Sequence, residues 1–281
     1  MLQPFEVLLE DPDSASGPLP PSLAQVYGGG LRLAERRGRP LVFSNFVLSR
    51  DGRTSFNLPG QAGGGEVSAF NPHDQWLMGL LRARADAVMV GDGTLRLEPE
   101  HLWTSNYICP THAEPFSAWR LELGLPGPPL QVIVSLEGDF PPEAAVFGAG
   151  LEVLIATTPR GLARAEERAG GRATVLVVGE ESGVDLRRLG QLLYADFGIR
   201  ALLCEGGPRL IGSVIRQGQL DEEFLCLSPV VIGQNSAEGL RPGLIEGVGF
   251  TPELAPRSRP VSLRRAGDYL FLRSRYEYRG A

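Results

Sequence analysis

From Pro40 onward, short apolar runs alternate with segments whose apolar positions recur every three or four residues. PLVFSNFVLS (40–49) is apolar almost throughout and predicts a buried strand. In NPHDQWLMGLLRARA (71–85), Leu77, Leu80 and Leu81 make a helical stripe, with Asn71 placed as an N-cap ahead of Pro72. DAVMVG (86–91), LQVIVS (130–135), EVLIAT (152–157), TVLVVG (174–179) and ALLCEG (201–206) predict further strands, and helical patterns fill 159–168, 185–196 and 207–217. Strand and helix repeated in this way imply an α/β fold with a mostly parallel sheet covered on both faces. EEFLCLSPVVIG (222–233) and GDYLFLRSRYEYR (267–279) are rich in β-formers and predict strands that finish the sheet antiparallel. Residues 10–22 read as a loose Pro/Ser-rich lead able to wrap over the body. The stretch 95–129 has little periodicity, and long inserts of that kind in α/β domains often carry function. One domain is expected from residue 39 to 281, behind an N-terminal extension of residues 1–38.

Composition narrows the chemistry. Hydrophobic residues are 43% and charged residues 21% of the 281, ordinary values for a globular chain. All 27 basic residues are Arg, with no Lys. This excludes a Lys Schiff base, a pyridoxal-phosphate anchor and a P-loop. A net charge of -6 argues against a nucleic-acid partner. The apolar runs are too short for a membrane span, and the acidic N-terminus is unlike a signal peptide, so a cytoplasmic protein is expected. Cys109, Cys204 and Cys226 are odd in number and far apart, against a disulfide framework. Cys204 and Cys226 sit in apolar runs and read as small buried hydrophobes.

In parallel sheets, ligands gather at the carboxyl ends of strands, so the loops that follow strands are the candidate sites. Ser49-Arg50-Asp51-Gly52-Arg53 is a turn offering a carboxylate and a guanidinium, with the flexible GQAGGGE (60–66) behind it. Val90-Gly91-Asp92-Gly93-Thr94 brings bare backbone N–H groups and a hydroxyl to a strand end. It is not a GxGxxG fingerprint, because Arg96 stands at the third glycine position. Cys204-Glu205-Gly206-Gly207-Pro208 leads into a helix with Pro in its first turn, an arrangement suited either to anions or to close strand–helix packing. His112-Ala113-Glu114 matches the HAE of zinc deaminases, but no Pro-Cys-x-x-Cys follows and no metal site is expected. GxSxG and HExxH are absent.

Taken in order, NFVLSRDGR (45–53), LRARADAVMVGDGTLRLE (81–98) and LLCEGGPRLIGSVIRQGQLDEEFLCLSPVVIG (202–233) resemble one family. It is the RibD C-terminal type of riboflavin-biosynthesis reductase domain, in the dihydrofolate-reductase-like superfamily. The form Thr94-x-Arg96-x-Glu98 is similar to its stand-alone branch. The resemblance implies a three-layer α/β/α fold and a reductase using NADPH. The implied activity is that of a 5-amino-6-(5-phosphoribosylamino)uracil reductase, delivering hydride to an imine-type carbon. Gly91, Gly93, Thr94, Glu205, Gly206 and Gly207 would then lie on the cofactor, with Ser135 toward its adenosine ribose or 2′-phosphate. Glu137 beside that position would oppose a 2′-phosphate unless an Arg compensates. Asn45, Ser49, Asp51 and Ser68 would line the substrate side, and Arg53, Arg96 and Arg209 would grip a substrate phosphate. Asp51 or Glu98 would supply the proton, its pKa raised in a partly closed site; Arg53, where relatives carry Lys, stays protonated and cannot. Two further functions stay open: reduction of a pterin such as dihydrofolate, and a catalytically silent nucleotide-binding protein. The family also implies a homodimer, with 222–227 as the place to look for contact.

Overall fold

Along Leu41–Leu48 successive side chains enter opposite cores: Phe43 and Val47 join one cluster, Val42 and Phe46 the other. A strand buried on both faces needs helices above and below it. The computed structural model describes residues 2–235 and 239–278. In chain order the elements are β1 (Glu6–Glu10), α1 (Pro12–Ala15), α2 (Pro21–Tyr27), β2 (Leu41–Leu48), α3 (Gly64–Val67), α4 (Pro72–Arg84), β3 (Ala87–Gly91), α5 (Asp92–Leu97), α6 (Ser105–Ile108), α7 (Ala113–Glu122) and β4 (Leu130–Ser135). There follow β5 (Val153–Thr157), α8 (Leu162–Ala169), β6 (Thr174–Val177), a small hairpin of β7 (Gly179–Glu180) and β8 (Gly183–Val184), α9 (Leu186–Asp196), β9 (Ala201–Gly206), α10 (Pro208–Arg216), β10 (Glu222–Leu227), β11 (Arg257–Ala266) and β12 (Tyr269–Glu277).

Among the described residues, ten strands form one sheet in the order β1-β11-β12-β10-β2-β9-β3-β4-β5-β6. Every pairing from β10 to β6 is parallel, and β12, β11 and β1 complete the sheet antiparallel. Trp76, Leu80 and Leu81 of α4 and Phe116 and Trp119 of α7 pack one face. Leu189 and Leu193 of α9 and Ile211 and Val214 of α10 pack the other. The expected three-layer α/β/α architecture is therefore present. Asn71 caps α4 as predicted, accepting from the N–H groups of His73 and Asp74. Cys204 and Cys226 are buried in the two cores.

Three expectations need correction. The strand expected over 222–233 stops at Leu227, because Ser228 N–H makes one last bond to Leu48 O and Pro229 has no N–H to continue the ladder. The terminal strand begins at Tyr269, after a Gly267–Asp268 turn that joins it to β11, an element not expected at all; Arg279 lies outside the described residues. The interface expected at 222–227 has no surface to use: β10 is buried and is paired on one side to β2 and on the other to β12. The sheet's edges belong to β1 and β6.

The N-terminal lead packs onto the same body. β1 pairs with β11, and the Phe5 ring meets Tyr27, Trp76 and Phe271 edge-on or tilted. Among the described residues, no helix is long and apolar enough to cross a membrane.

Candidate active site

β9 lies between β2 and β3, and the chain leaves these neighbours in opposite directions. After β2 and β3 it enters α4 and α5, whose buried residues join the first core; after β9 it enters α10 on the other face. Such a divergence opens a crevice at the carboxyl ends of the strands, the preferred ligand position in parallel sheets.

The two glycine turns meet in this crevice. Val90 pairs with Gly206 across a register shift, and a Cβ on Gly206 would come within 2.9 Å of the Val90 Cα. Gly207 adopts φ +65°, a left-handed conformation that glycine takes without strain, and faces Thr94 Oγ1. Gly93 opens onto free space. Gly91, Gly93, Thr94, Gly206 and Gly207 thus form one concavity of bare backbone. Arg209 stands exposed in the first turn of α10, and among the described residues its guanidinium has no hydrogen bond or ion pair.

Two expected cofactor residues are committed elsewhere. Ser135 is fully buried and donates to Asp92 Oδ2 at 2.7 Å, tying β4 to α5 rather than facing a ligand. Glu205 turns its carboxylate to Arg82: Nη2 lies 2.7 Å from Oε2, and Nε 3.0 and 3.2 Å from the two oxygens. Arg82 is itself buried, and its remaining N–H groups donate to Leu102 O, Thr104 O and His101 Nε2. Burial, reinforced by the Arg82 charge, holds the His101 pKa at about 3, so that ring is neutral and accepts. Arg96 also points away from the crevice, bonding Asp92 and the Asp139 carbonyl. Glu137 has its compensating guanidinium, Arg160 at 2.6 Å.

Near the Arg82–Glu205 pair, whose charges act on Glu98, lies a cavity of about 440 Å³ lined by the 57–66 loop, Phe70, Leu97, Glu66 and Glu98. A Cβ on Gly63 would fall 2.6 Å from Glu98 Oε1, so the bare glycine lets the loop lie directly against that carboxyl group. Burial raises the Glu98 pKa; Arg82 draws it back down, while Glu205 and Glu66 push it up. Glu98 therefore holds a proton more readily than an ordinary carboxylate. Asn45 is buried on the β2 face that carries Phe43 and Val47. Ser68 is buried, and its hydroxyl donates to Gly65 O and interacts with Asp74. Asp74 is the buried acid of the α4 first turn, its pKa pushed up to about 6 by burial.

The Ser49–Arg53 turn behaves differently from expectation. Asp51 accepts from Ile232 N–H at 2.9 Å, Gly233 N–H at 2.7 Å and Ser49 Oγ at 2.8 Å. These bonds, the Ile232 amide first, hold its pKa at about 2. A carboxylate so stabilised stays ionised at neutral pH, the opposite of the raised pKa expected for it, and Asp51 clamps two loops together. Arg53 donates from Nη1 to Arg241 O at 3.1 Å, which anchors the same pair of loops. Arg82, His101, Glu66 and Phe70 were not foreseen. Only Glu66, next to glycines in a loop already singled out, carried any signal in the sequence.

The family model for the RibD C-terminal domain matches residues 40–269. The 2,5-diamino-6-ribosylamino-4(3H)-pyrimidinone 5′-phosphate reductase of Archaeoglobus fulgidus is 29% identical over 241 residues, 85% of this chain and 99% of that protein. The protein of the same name from Methanothermobacter thermautotrophicus is 26% identical over 210 residues, 75% of this chain and 86% of its own. Among solved structures, a pyrimidine reductase-like protein from Corynebacterium diphtheriae superposes with a TM-score of 0.66 at 21% identity, covering 85% of this chain and 92% of its own. Acinetobacter baumannii RibD does so at 0.60 and 19% identity, over 86% of this chain, which spans only 59% of that longer protein. At these identities the structural likenesses establish the fold.

Proposed function

Because the chain belongs to the RibD C-terminal domain family, we propose that it is an NADPH-dependent reductase of a phosphorylated ribosylaminopyrimidine. Its relatives are named for the 2,5-diamino-pyrimidinone, which carries an amino group where the uracil expected above carries an oxygen. We take the diamino compound as the first substrate to test.

The observation that carries this function is the placement of Glu98. Its half-buried, proton-retaining carboxyl lines a cavity of about 440 Å³, a size suited to a small ligand. A bound reduced nicotinamide would supply the hydride. The residues fit such a cofactor: the left-handed Gly207 at the start of α10 and the open Gly93 leave bare backbone at the strand ends for a pyrophosphate. Arg209, exposed beside that turn and without an ion pair among the described residues, serves as a phosphate anchor. Glu98 holds the proton that the substrate nitrogen takes up, and the 57–66 loop excludes water from it. Arg82 and Glu205 position the segment that carries Glu98.

The test is loss of NADPH absorbance with purified protein and each candidate in turn: the diamino-pyrimidinone phosphate, the aminouracil phosphate and dihydrofolate. Turnover with a pyrimidine phosphate and none with dihydrofolate is expected. Oxidation driven by dihydrofolate alone would overturn the assignment.

A further inference from the structure

Before α4, two consecutive residues that are not glycine adopt left-handed backbone, Ala69 at φ +49° and Phe70 at φ +52°. Side chains with a Cβ resist this conformation, and bulky ones resist it most. The turn is held by its surroundings: Ala69 N–H donates to Glu66 O, Phe70 N–H to Gly65 O at 2.8 Å, and Asn71 N–H to Ser68 O at 3.0 Å. Tyr269 Oη adds a bond to Ser68 O at 3.0 Å. A turn needed only to start α4 would take Gly or Asn at position 70 without strain. Here it carries a phenyl ring that is 61% exposed.

That ring is placed rather than merely extruded. It lies against Gly65, where a Cβ would come 2.5 Å from Phe70 Cε1, so the ring rests directly on bare backbone and a side chain there would displace it. Phe70 lines the cavity together with Leu58, Pro59 and the exposed Leu97, while Glu66 and Glu98 supply carboxyl groups. An aromatic wall with the Glu66 carboxylate nearby as an acceptor suits a flat heterocycle with amino groups on its edge.

We propose that Phe70 is the stacking platform for the planar ring of the substrate, and that the strained Ala69–Phe70 turn exists to present it. This rests on the pyrimidine assignment above. The cofactor is held at the separate glycine concavity, so its affinity does not depend on this ring.

The test compares wild type with Phe70→Asn, which keeps the left-handed turn and removes the ring, and with Phe70→Tyr, which keeps the ring. Three quantities are read: calorimetric affinity for the diamino-pyrimidinone phosphate without cofactor, fluorescence affinity for NADPH, and the urea midpoint. Phe70→Asn is expected to weaken pyrimidine binding roughly five- to hundredfold, the range found for a base stacked on an aromatic side chain. NADPH affinity should stay within about twofold, and the urea midpoint should hold or rise, since Asn tolerates the left-handed region better than Phe. Phe70→Tyr should bind as wild type. Unchanged pyrimidine affinity in Phe70→Asn, an equal loss of NADPH affinity, or a wild type that binds no pyrimidine would each overturn the proposal. A wild type that binds the pyrimidine through Phe70 yet never oxidises NADPH would sink the reductase assignment and leave the stacking role standing.

Discussion

Arg82 is the buried charge on which the site's geometry turns, and Arg82→Met removes the charge while keeping much of the side-chain volume. The substitution strips Glu205 of contacts at 2.7, 3.0 and 3.2 Å and leaves the Leu102 and Thr104 carbonyls without their donor. Both partners are almost wholly buried, at 2% and 6% side-chain exposure, so water cannot take over. Removing one member of such a pair costs about 3–5 kcal/mol, most of it the uncompensated charge left behind. Adding Glu205→Gln removes that charge, and the double variant should recover at least about 2 kcal/mol relative to Arg82→Met. Urea unfolding at neutral pH of wild type, both single variants and the double variant measures each corner of the cycle. A loss below about 1 kcal/mol for Arg82→Met, or a double variant no more stable than that single one, would refute the reasoning.

Glu223 is 4% exposed, and burial lifts its pKa from the ordinary 4.5 to about 7. A raised folded-state pKa contributes stability that is complete below pH 4.5 and lost as pH climbs to about 7. At about 1.4 kcal/mol per pH unit, wild type should lose roughly 3 kcal/mol relative to Glu223→Gln across that window, with no further change above it; a flat difference in urea stability would contradict this. Gly206→Ala forces a Cβ against the β3 backbone at 2.9 Å. It should cost about 1–3 kcal/mol and weaken NADPH binding more than pyrimidine binding, measured by fluorescence and calorimetry; equal losses would count against the glycine concavity as the cofactor site. Asp51 is already ionised above about pH 2, so Asp51→Asn should leave the pH dependence of turnover unmoved from mildly acid to alkaline conditions. A displaced limb in its rate profile would reinstate Asp51 as a proton donor.

β2, α4, β3, β4, β5, β6, α8, α9, β9 and α10 were readable because their inward positions are apolar and follow strand or helix periods. The short helices α5 and α6 and the helix α7 fall in or at the edge of the 95–129 stretch, which shows little periodicity. β11 was not readable either, since two of its inward positions hold polar groups. Arg264 is buried there, bonded to Glu10 and stacked 3.8 Å from the Tyr27 ring, and Ser262 beside it is buried as well. β12 repeats the device with Arg273 buried on Glu222 at 2.6 Å, although its flanking Leu and Phe residues kept it visible. In a chain without Lys, buried pairs of this kind fall to Arg, whose planar fork suits them, and they erase the apolar alternation on which strand recognition depends. The glycine turns were legible because glycine marks backbone shape locally. The partners of Ser135 and Glu205 were hidden for the opposite reason: a polar residue at a strand end looks available until its partner, Asp92 or Arg82, arrives from a distant part of the chain. The low pKa of Asp51 was not legible either, because the amides of Ile232 and Gly233 that ionise it lie far along the sequence.

The proposed role of Glu98, holding the transferred proton in a crevice with separate cofactor and substrate regions, is tested most directly by single-turnover oxidation of NADPH by the diamino-pyrimidinone phosphate. The rate is followed against pH for wild type and Glu98→Gln. Wild type should lose rate as pH rises through the elevated Glu98 pKa. Glu98→Gln should be slower by roughly 10²–10⁴ with no such dependence, at unchanged NADPH affinity. A Glu98→Gln protein that turns over within a few-fold of wild type, with the same pH profile, would contradict it.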